Sequence, residues 1–167
     1  MAATIAVVQN YGWASASYFG EVAKNISNLI SIDDGIVDKL DYPVRIPNTG
    51  TTYSFETWIR CRCDVAPANF CNNFKAWYVS GMPTPGFTIK VNSTVVNTYQ
   101  QPVDTESAQG TRVSFTDYIA ENDSISMDGE LVNIGDYTSW LVFQLEVINT
   151  ASIGEYAIDY IIQYDEA

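Results

Sequence analysis

Apolar and polar side chains alternate over several stretches of the sequence, and this period of two constrains the fold most. Residues 53–63, 141–147 and 156–164 show the alternation most clearly. Successive side chains of a β-strand point to opposite faces, so each stretch predicts a strand with one buried and one wet face. Less regular patterns predict further strands at residues 70–79, 87–91, 94–99, 112–119 and 125–127.

Turn residues separate these stretches, and no pattern indicates the helical crossovers that a parallel sheet needs. Eight or so short strands with turns between them predict an all-β fold, an antiparallel β-sandwich of jelly-roll or Ig-like type. The turn at residues 149–154 is expected to join the last two strands as a hairpin. Residues 1–30 are less regular and predict an N-terminal arm or irregular segment, with residues 31–167 forming the sandwich domain.

The longest predicted strand, residues 53–63, has two distinct faces. One face is expected to be buried and carries Tyr53, Phe55, Thr57, Ile59, Cys61 and Cys63. The other is expected to be wet and carries Ser54, Glu56, Trp58, Arg60 and Arg62.

The net charge is −12, with only eight Lys and Arg residues. Binding to nucleic acid needs clustered cations, and an acidic surface is repelled by anionic membranes, so neither is an expected partner. No apolar run approaches the length of a transmembrane helix, and the N-terminus does not resemble a signal peptide. The charge suits a protein that stays soluble at high local concentration or one whose partner presents a basic patch.

The sequence contains no histidine. Ser-His-Asp catalysis, Cys-His catalysis, histidine-ligated zinc and histidine proton shuttles are therefore excluded. Carboxylate chemistry stays open, with Glu56 and Glu146 or Asp33 and Asp34 as candidate pairs. Scattered surface acids are the favoured interpretation, so we expect no enzymatic activity and no cofactor.

One loop concentrates oxygen ligands around Gly129. Such a group suits Ca²⁺, although its spacing does not match an EF-hand loop. A solvated acidic loop is the favoured interpretation and a calcium site the alternative. The four candidate ligands are Glu121, Asp123, Asp128 and Glu130.

The three cysteines, Cys61, Cys63 and Cys71, are an odd number, which argues against a complete disulfide framework. Cys61 and Cys63 share one face of a predicted strand with parallel side chains, a poor geometry for a bridge. Buried free thiols are therefore the favoured interpretation. A bond from Cys71 to either residue stays open if strands 53–63 and 70–79 are neighbours.

Four aromatic residues raise the alternative of a carbohydrate-binding or adhesin-type module, because aromatic faces on a sheet stack on sugar rings. Packing in the core or against another subunit is the favoured interpretation, since Trp58 and Trp140 alternate with core residues. The four are Trp58, Trp77, Tyr78 and Trp140.

Four short segments follow one another in a recognisable order in the second part of the chain. They are NNFKAW at 72–77, WLVFQL at 140–145, TASIG at 150–154 and YDEA at 164–167. Over residues 40–167 this order resembles small virion structural proteins of tailed phages and related environmental viruses. The resemblance implies a β-sandwich, often trimeric, that decorates or cements a capsid. It also implies a virion location after assembly in the host cytoplasm, with the major capsid protein, other virion proteins and further copies of the chain as partners.

An extended arm over residues 2–19 would add affinity by pairing its backbone with an exposed sheet edge. Deleting residues 1–19 is then expected to leave the sandwich folded and to abolish assembly. The candidate interface residues are Ile5, Val7, Tyr11, Trp13, Tyr18, Phe19, Trp58 and Trp140.

Overall fold

The computed structural model describes residues 2–12, 19–23, 29–33, 41–82 and 84–167. These residues form β-strands, joined by turns and loops, and one short 3₁₀ helix, Phe115–Asp117. No helix among them has the length and apolar character needed to cross a membrane. The strands are β1 Thr4–Gly12, β2 Phe19–Ala23, β3 Thr51–Tyr53, β4 Thr57–Val65, β5 Cys71–Gly81, β6 Phe87–Asn92, β7 Arg112–Ser114, β8 Ile125–Met127, β9 Leu141–Ile148 and β10 Ile158–Glu166.

Two antiparallel sheets contain these strands, which confirms the predicted all-β antiparallel fold. The larger sheet has the order β2-β1-β4-β9-β6-β7, and β3 also pairs with β9. The smaller sheet has the order β10-β5-β8. Buried side chains from both sheets form one hydrophobic cluster, to which Ile59 and Phe143 contribute from the larger sheet and Phe74 and Ile125 from the smaller. Burial of this apolar area is the main stabilising contribution to the fold.

The predicted strand 53–63 is divided into β3 and β4 by the irregular residues 54–56. Ile59, Cys61 and Cys63 are buried as expected, but Trp58 and Glu56 on the supposed wet face are buried too. The reason is a second cluster on the outer face of the larger sheet, where Trp58 packs with Val96, Trp140, Val142 and Tyr99. Residues 94–99 cover this face. They do not form the predicted strand but make an isolated β-bridge, from Val96 to Trp140.

The predicted hairpin between the last two strands is wrong. β9 belongs to the larger sheet and β10 to the smaller one, so residues 149–157 cross between the sheets. β9 pairs with β3 and β4 along one edge and with β6 along the other. Since both edges of β9 are occupied, β10 pairs with β5 instead.

The expected N-terminal arm is, over residues 4–12, a strand inside the larger sheet. β1 pairs with β2 on one side and with β4 on the other. Val8 is fully buried, and Ile5 and Val7 pack against the main core. The sequence did not predict that this segment is an internal strand, because two polar residues, Gln9 and Asn10, interrupt its apolar pattern. Both are buried in the structure.

Candidate contact surface

The outer face of the smaller sheet carries exposed apolar side chains. Phe74, Ala76 and Tyr78 of β5 point into the core, so Trp77 and Val79 point outward. Trp77 lies directly opposite Ile161 of β10. Val79 is 50% exposed and Ile161 is 41% exposed.

Ile119 extends this group of residues. The backbone N–H of Tyr78 donates to the carbonyl of Tyr118 at 2.8 Å, which places Ile119 beside the exposed end of β5. Ile119 is 65% exposed. Contiguous apolar side chains at a protein surface mark interaction sites more often than scattered ones do. We call this group of Trp77, Val79, Ile119 and Ile161 the apolar patch.

The apolar patch adjoins an open strand edge. β10 lies at the end of the smaller sheet, and within the described residues its ladder partner is β5 alone. β10 has 9 residues, whereas the other strands at sheet ends, β2, β7 and β8, have 5, 3 and 3. An edge strand presents backbone N–H and C=O groups that can pair with another chain. β10 is therefore the longest such edge in the described part of the chain.

Three carboxylates lie on β10, and the structure gives each a neutral hydrogen-bond donor. The Ser80 hydroxyl donates to Asp159 at 2.7 Å, and the Asn73 amide donates to Asp165 at 2.8 Å. The backbone N–H of Ala3 donates to Glu166 at 2.7 Å. Neutral donors orient a carboxylate without cancelling its charge, so this edge is negatively charged.

Several cations are paired with acids, and one of these cations, Lys75 of β5, lies opposite Gln163 of β10. Lys75 lies 3.5 Å from Glu121, and Lys90 lies 3.8 Å from Glu146. Arg60 and Arg62 both bind Glu21, at 3.2 Å and 2.6 Å. These pairs leave an acidic excess on the surface, which favours cationic partners.

The pairing at Glu21 attaches β2 to the larger sheet. The Arg60 guanidinium lies 3.5 Å from the ring centroid of Tyr137 and 4.2 Å from that of Trp140. Arg62 also donates to Asp64 at 2.7 Å, and this hydrogen bond lowers the pKa of the Asp64 carboxyl. The cation–π contacts fix the position of the Arg60 guanidinium, and the ion pairs with Glu21 hold the short edge strand β2 in place, so we assign this group a structural role.

The predicted interface residues are dispersed in the structure. Trp58 and Trp140 are buried in the second cluster, so within the chain they are core residues. Ile5 and Val7 pack partly against the main core, and Tyr11 is half-buried opposite Gly20. Trp13 and Tyr18 lie outside the described residues, and Phe19 begins β2.

Sequence reasoning missed Val79, Ile119 and Ile161 as surface residues. The available signal was the adjacent pair Ile161 and Ile162 within an alternating strand. Because neighbouring side chains of a strand point to opposite faces, one of the two had to point outward.

The burial of Trp58, Trp140 and Tyr78 removes three of the four rings proposed for a carbohydrate platform. A polar pocket of about 260 Å³ is present elsewhere, and Glu106, Glu146 and Arg112 are among its lining residues. Burial lowers the pKa of Arg112 to about 10. Ligand pockets are typically larger and mostly apolar, roughly 300–1,000 Å³, so this pocket is a weaker candidate than the apolar patch.

The candidate catalytic pairs are not supported by the contacts of their members. Glu56 is buried and accepts a hydrogen bond from the Trp58 indole at 3.0 Å. Glu146 lies beside Lys90. Asp33 accepts a hydrogen bond from the backbone N–H of Gly12 at 2.6 Å, and Asp34 lies outside the described residues.

The four acids proposed for calcium are all exposed, and Glu121 pairs with Lys75. In the described ranges, no three or more Cys, Asp or Glu side chains lie close enough together to hold a metal ion. This counts against the calcium alternative.

We expect calcium to leave the melting temperature unchanged relative to a chelator. The reason is that a ligand stabilises a protein only when it binds the folded state preferentially. Differential scanning calorimetry in calcium and in chelator measures the difference. Suppose instead that calcium raised the melting temperature, that Glu121→Gln abolished this rise, and that the control Glu155→Gln kept it. That result would support a calcium site.

The three cysteines are free and buried. Cys71 lies on β5 of the smaller sheet and Cys61 and Cys63 on β4 of the larger, so the two strands face each other across the core. Burial raises the pKa of Cys61 to about 12, and it also raises the pKa values of Cys63 and Cys71. A raised pKa keeps the thiol protonated and unreactive at neutral pH.

We expect all three thiols to resist a thiol-specific reagent at pH 8 in the folded protein and to react fully in denaturant. Absorbance of the released reagent counts the reactive groups in each condition. Mass spectrometry without reductant serves as the control, because a disulfide would lower the mass of the intact chain. Reaction of any cysteine in the folded state would contradict the buried arrangement.

Comparison with models of protein families, with curated proteins and with solved structures finds no match to this chain.

Proposed function

We propose that the chain is a structural protein of a virus particle, a capsid decoration or cement protein that binds the shell and neighbouring copies of itself. The observation that carries the contact-making role is the apolar patch, which is continuous with the long open edge of β10. Patches of this kind mark contact surfaces, and strand edges pair with other chains. The virion assignment itself rests on the resemblance of residues 40–167 to phage virion proteins.

A rigid two-sheet scaffold suits this role. Decoration requires a fold that presents one surface in a fixed orientation, and two sheets packed on a common core provide such rigidity. Repetition over a symmetric shell multiplies weak contacts through effective concentration. We propose a homo-oligomer, with the trimer as the first state to test, bound to the major capsid protein and without catalytic activity.

Electron microscopy of the native assembly tests this function. The expected image shows the chain at repeated, symmetry-related positions on a shell, after assembly in the host cytoplasm. The purified 18.5 kDa chain should also sediment as a multiple of its own mass. A chain found only as a lone monomer, outside any particle, would refute the proposal.

A matched pair of variants connects the test to the structure. Ile161→Lys places a charge in the apolar patch, and Ile153→Lys makes the same change at a residue that is 95% exposed in the loop between the sheets. Ile161→Lys should abolish incorporation into particles, while Ile153→Lys should incorporate normally. Both variants should keep the wild-type melting temperature, since neither side chain belongs to the core clusters.

A further inference from the structure

We propose that the open edge of β10 pairs with an extended, cationic segment of a partner protein, in which two Lys or Arg residues flank an apolar residue on one face of the strand. The inference rests on the proposed function only in placing that partner in the particle. It adds the chemistry of the partner and the strand that receives it.

The backbone of β10 is regular along its length, as pairing requires. The ladder with β5 is irregular twice, between Asp159 and Tyr160 and between Gln163 and Asp165. At the first point the partner residue changes from Ser80 to Tyr78, so the extra residue belongs to β5. At the second the partner changes from Lys75 to Asn72, so β5 again carries the extra residue. The irregularities therefore bend β5 and leave the alternation of β10 intact.

The outward side chains of β10 define what an added strand would contact. Asp159, Ile161, Gln163 and Asp165 share the outer face, because successive members are two positions apart in the strand. The two carboxylates stand at the ends, roughly 20 Å apart along the strand, with Ile161 between them. A strand that adds to this edge gains affinity from its backbone and specificity from alternate side chains. Cations opposite the two aspartates and an apolar residue beside Ile161 would complement this face.

A second copy of β10 does not meet these requirements. Antiparallel pairing about Ile162, the middle of the strand, would place Asp159 of each copy opposite Asp165 of the other. Like charges directly opposite each other on neighbouring strands are destabilising. The charge of this edge therefore selects a cationic occupant.

The test uses the full chain and a synthetic peptide as long as β10 (9 residues), with Lys second from each end, Val between the two Lys on the same face, and Thr on the other face. Two control peptides separate strand pairing from simple charge attraction. One has a central Pro in place of Thr, which removes a backbone donor and interrupts pairing. The other has Glu in place of Lys. Calorimetry measures affinity, and amide hydrogen exchange with residue-level detection measures where protection appears.

We expect the Lys–Val peptide to bind and to slow exchange of amides in β10, with little change elsewhere. The Pro peptide and the Glu peptide should each bind at least about tenfold more weakly. The variant Ile161→Lys should lose binding to a similar extent, while the matched variant Ile134→Lys, at another exposed isoleucine, should bind as the wild type does. Asp159→Asn with Asp165→Asn should reduce the salt dependence of binding.

Equal binding of the Pro peptide, or binding without protection of β10 amides, would overturn the inference, since only charge attraction would then be present. Equal binding by the Ile161→Lys variant would overturn it too. The two proposals fail separately. If the peptide binds but the chain is found in no virus particle, the inference stands and the virion role is refuted. If the chain is incorporated into particles but the peptide does not bind, the virion role stands and the inference is refuted.

Discussion

Deleting residues 1–12 is expected to unfold the protein. These residues contain β1, which lies between β2 and β4 in the larger sheet. Their removal exposes one edge of β4 and uncovers the core beside Cys61 and Cys63, which pair with Val7 and Ile5. Folded domains are stable by only about 5–15 kcal/mol, and losing an internal strand exceeds that reserve. Circular dichroism during heating should show no cooperative transition.

Two variants within β1 test the same point without a deletion. Val8→Asp places a charge at a fully buried position, whereas Thr4→Asp places it at an exposed position of the same strand. An unpaired buried charge is expected to cost several kcal/mol, about half or more of the total stability. Thr4→Asp should unfold at nearly the same urea concentration as the wild type. A stable, cooperatively folding Val8→Asp variant would mean that residues 1–12 form a separate arm after all.

Replacing Trp58 by alanine is expected to lower the free energy of unfolding by about 3–5 kcal/mol. Trp58 is fully buried, and its ring makes edge contacts with Tyr99 and Trp140 at centroid distances of 5.1 Å and 5.8 Å. Its indole N–H also donates to the buried carboxylate of Glu56 at 3.0 Å. The variant would therefore create a cavity and leave that carboxylate with one hydrogen bond fewer. Urea unfolding followed by circular dichroism measures the loss.

Two further variants divide this loss into its parts. Trp58→Phe keeps most of the ring and removes the donor, so it should cost about 1–3 kcal/mol through the unsatisfied Glu56. Trp77→Ala serves as the control, because Trp77 is half-buried on the outer face of the smaller sheet. It should destabilise the protein much less than Trp58→Ala does. If the two tryptophan-to-alanine variants lost equal stability, the second cluster would not be a real core.

The sequence pattern predicted several strands correctly because alternation is a local property, but residues 94–99 do not form a strand and the predicted strand 112–119 is β7 followed by the 3₁₀ helix. Strands β6, β8 and β9 begin and end close to the expected residues. The pairing of strands was not predictable in the same way, since the sheet to which β10 belongs depends on whether both edges of β9 are occupied. That depends on β4 and β6, which lie far from β9 in the sequence.

The candidate surface was predictable only in part for a related reason. Alternation correctly placed Ile59 and Cys61 in the core but assigned Trp58 to the wet face. The burial of Trp58 results from Val96 and Tyr99, which belong to a loop whose path no local pattern specifies. Conversely, Ile161 is exposed because the smaller sheet has nothing packed on its outer face there among the described residues.

The pairing of β5 with β10 has a consequence for the order of events during synthesis. β5 leaves the ribosome long before β10, which is the last strand in the chain. Until then β5 lacks its longest partner, and pairings between such distant segments form slowly. Unpaired strands are prone to misassociation in that interval, so this chain should benefit from chaperones. The edge of β10 that we propose as a docking site therefore forms only after β10 has paired with β5.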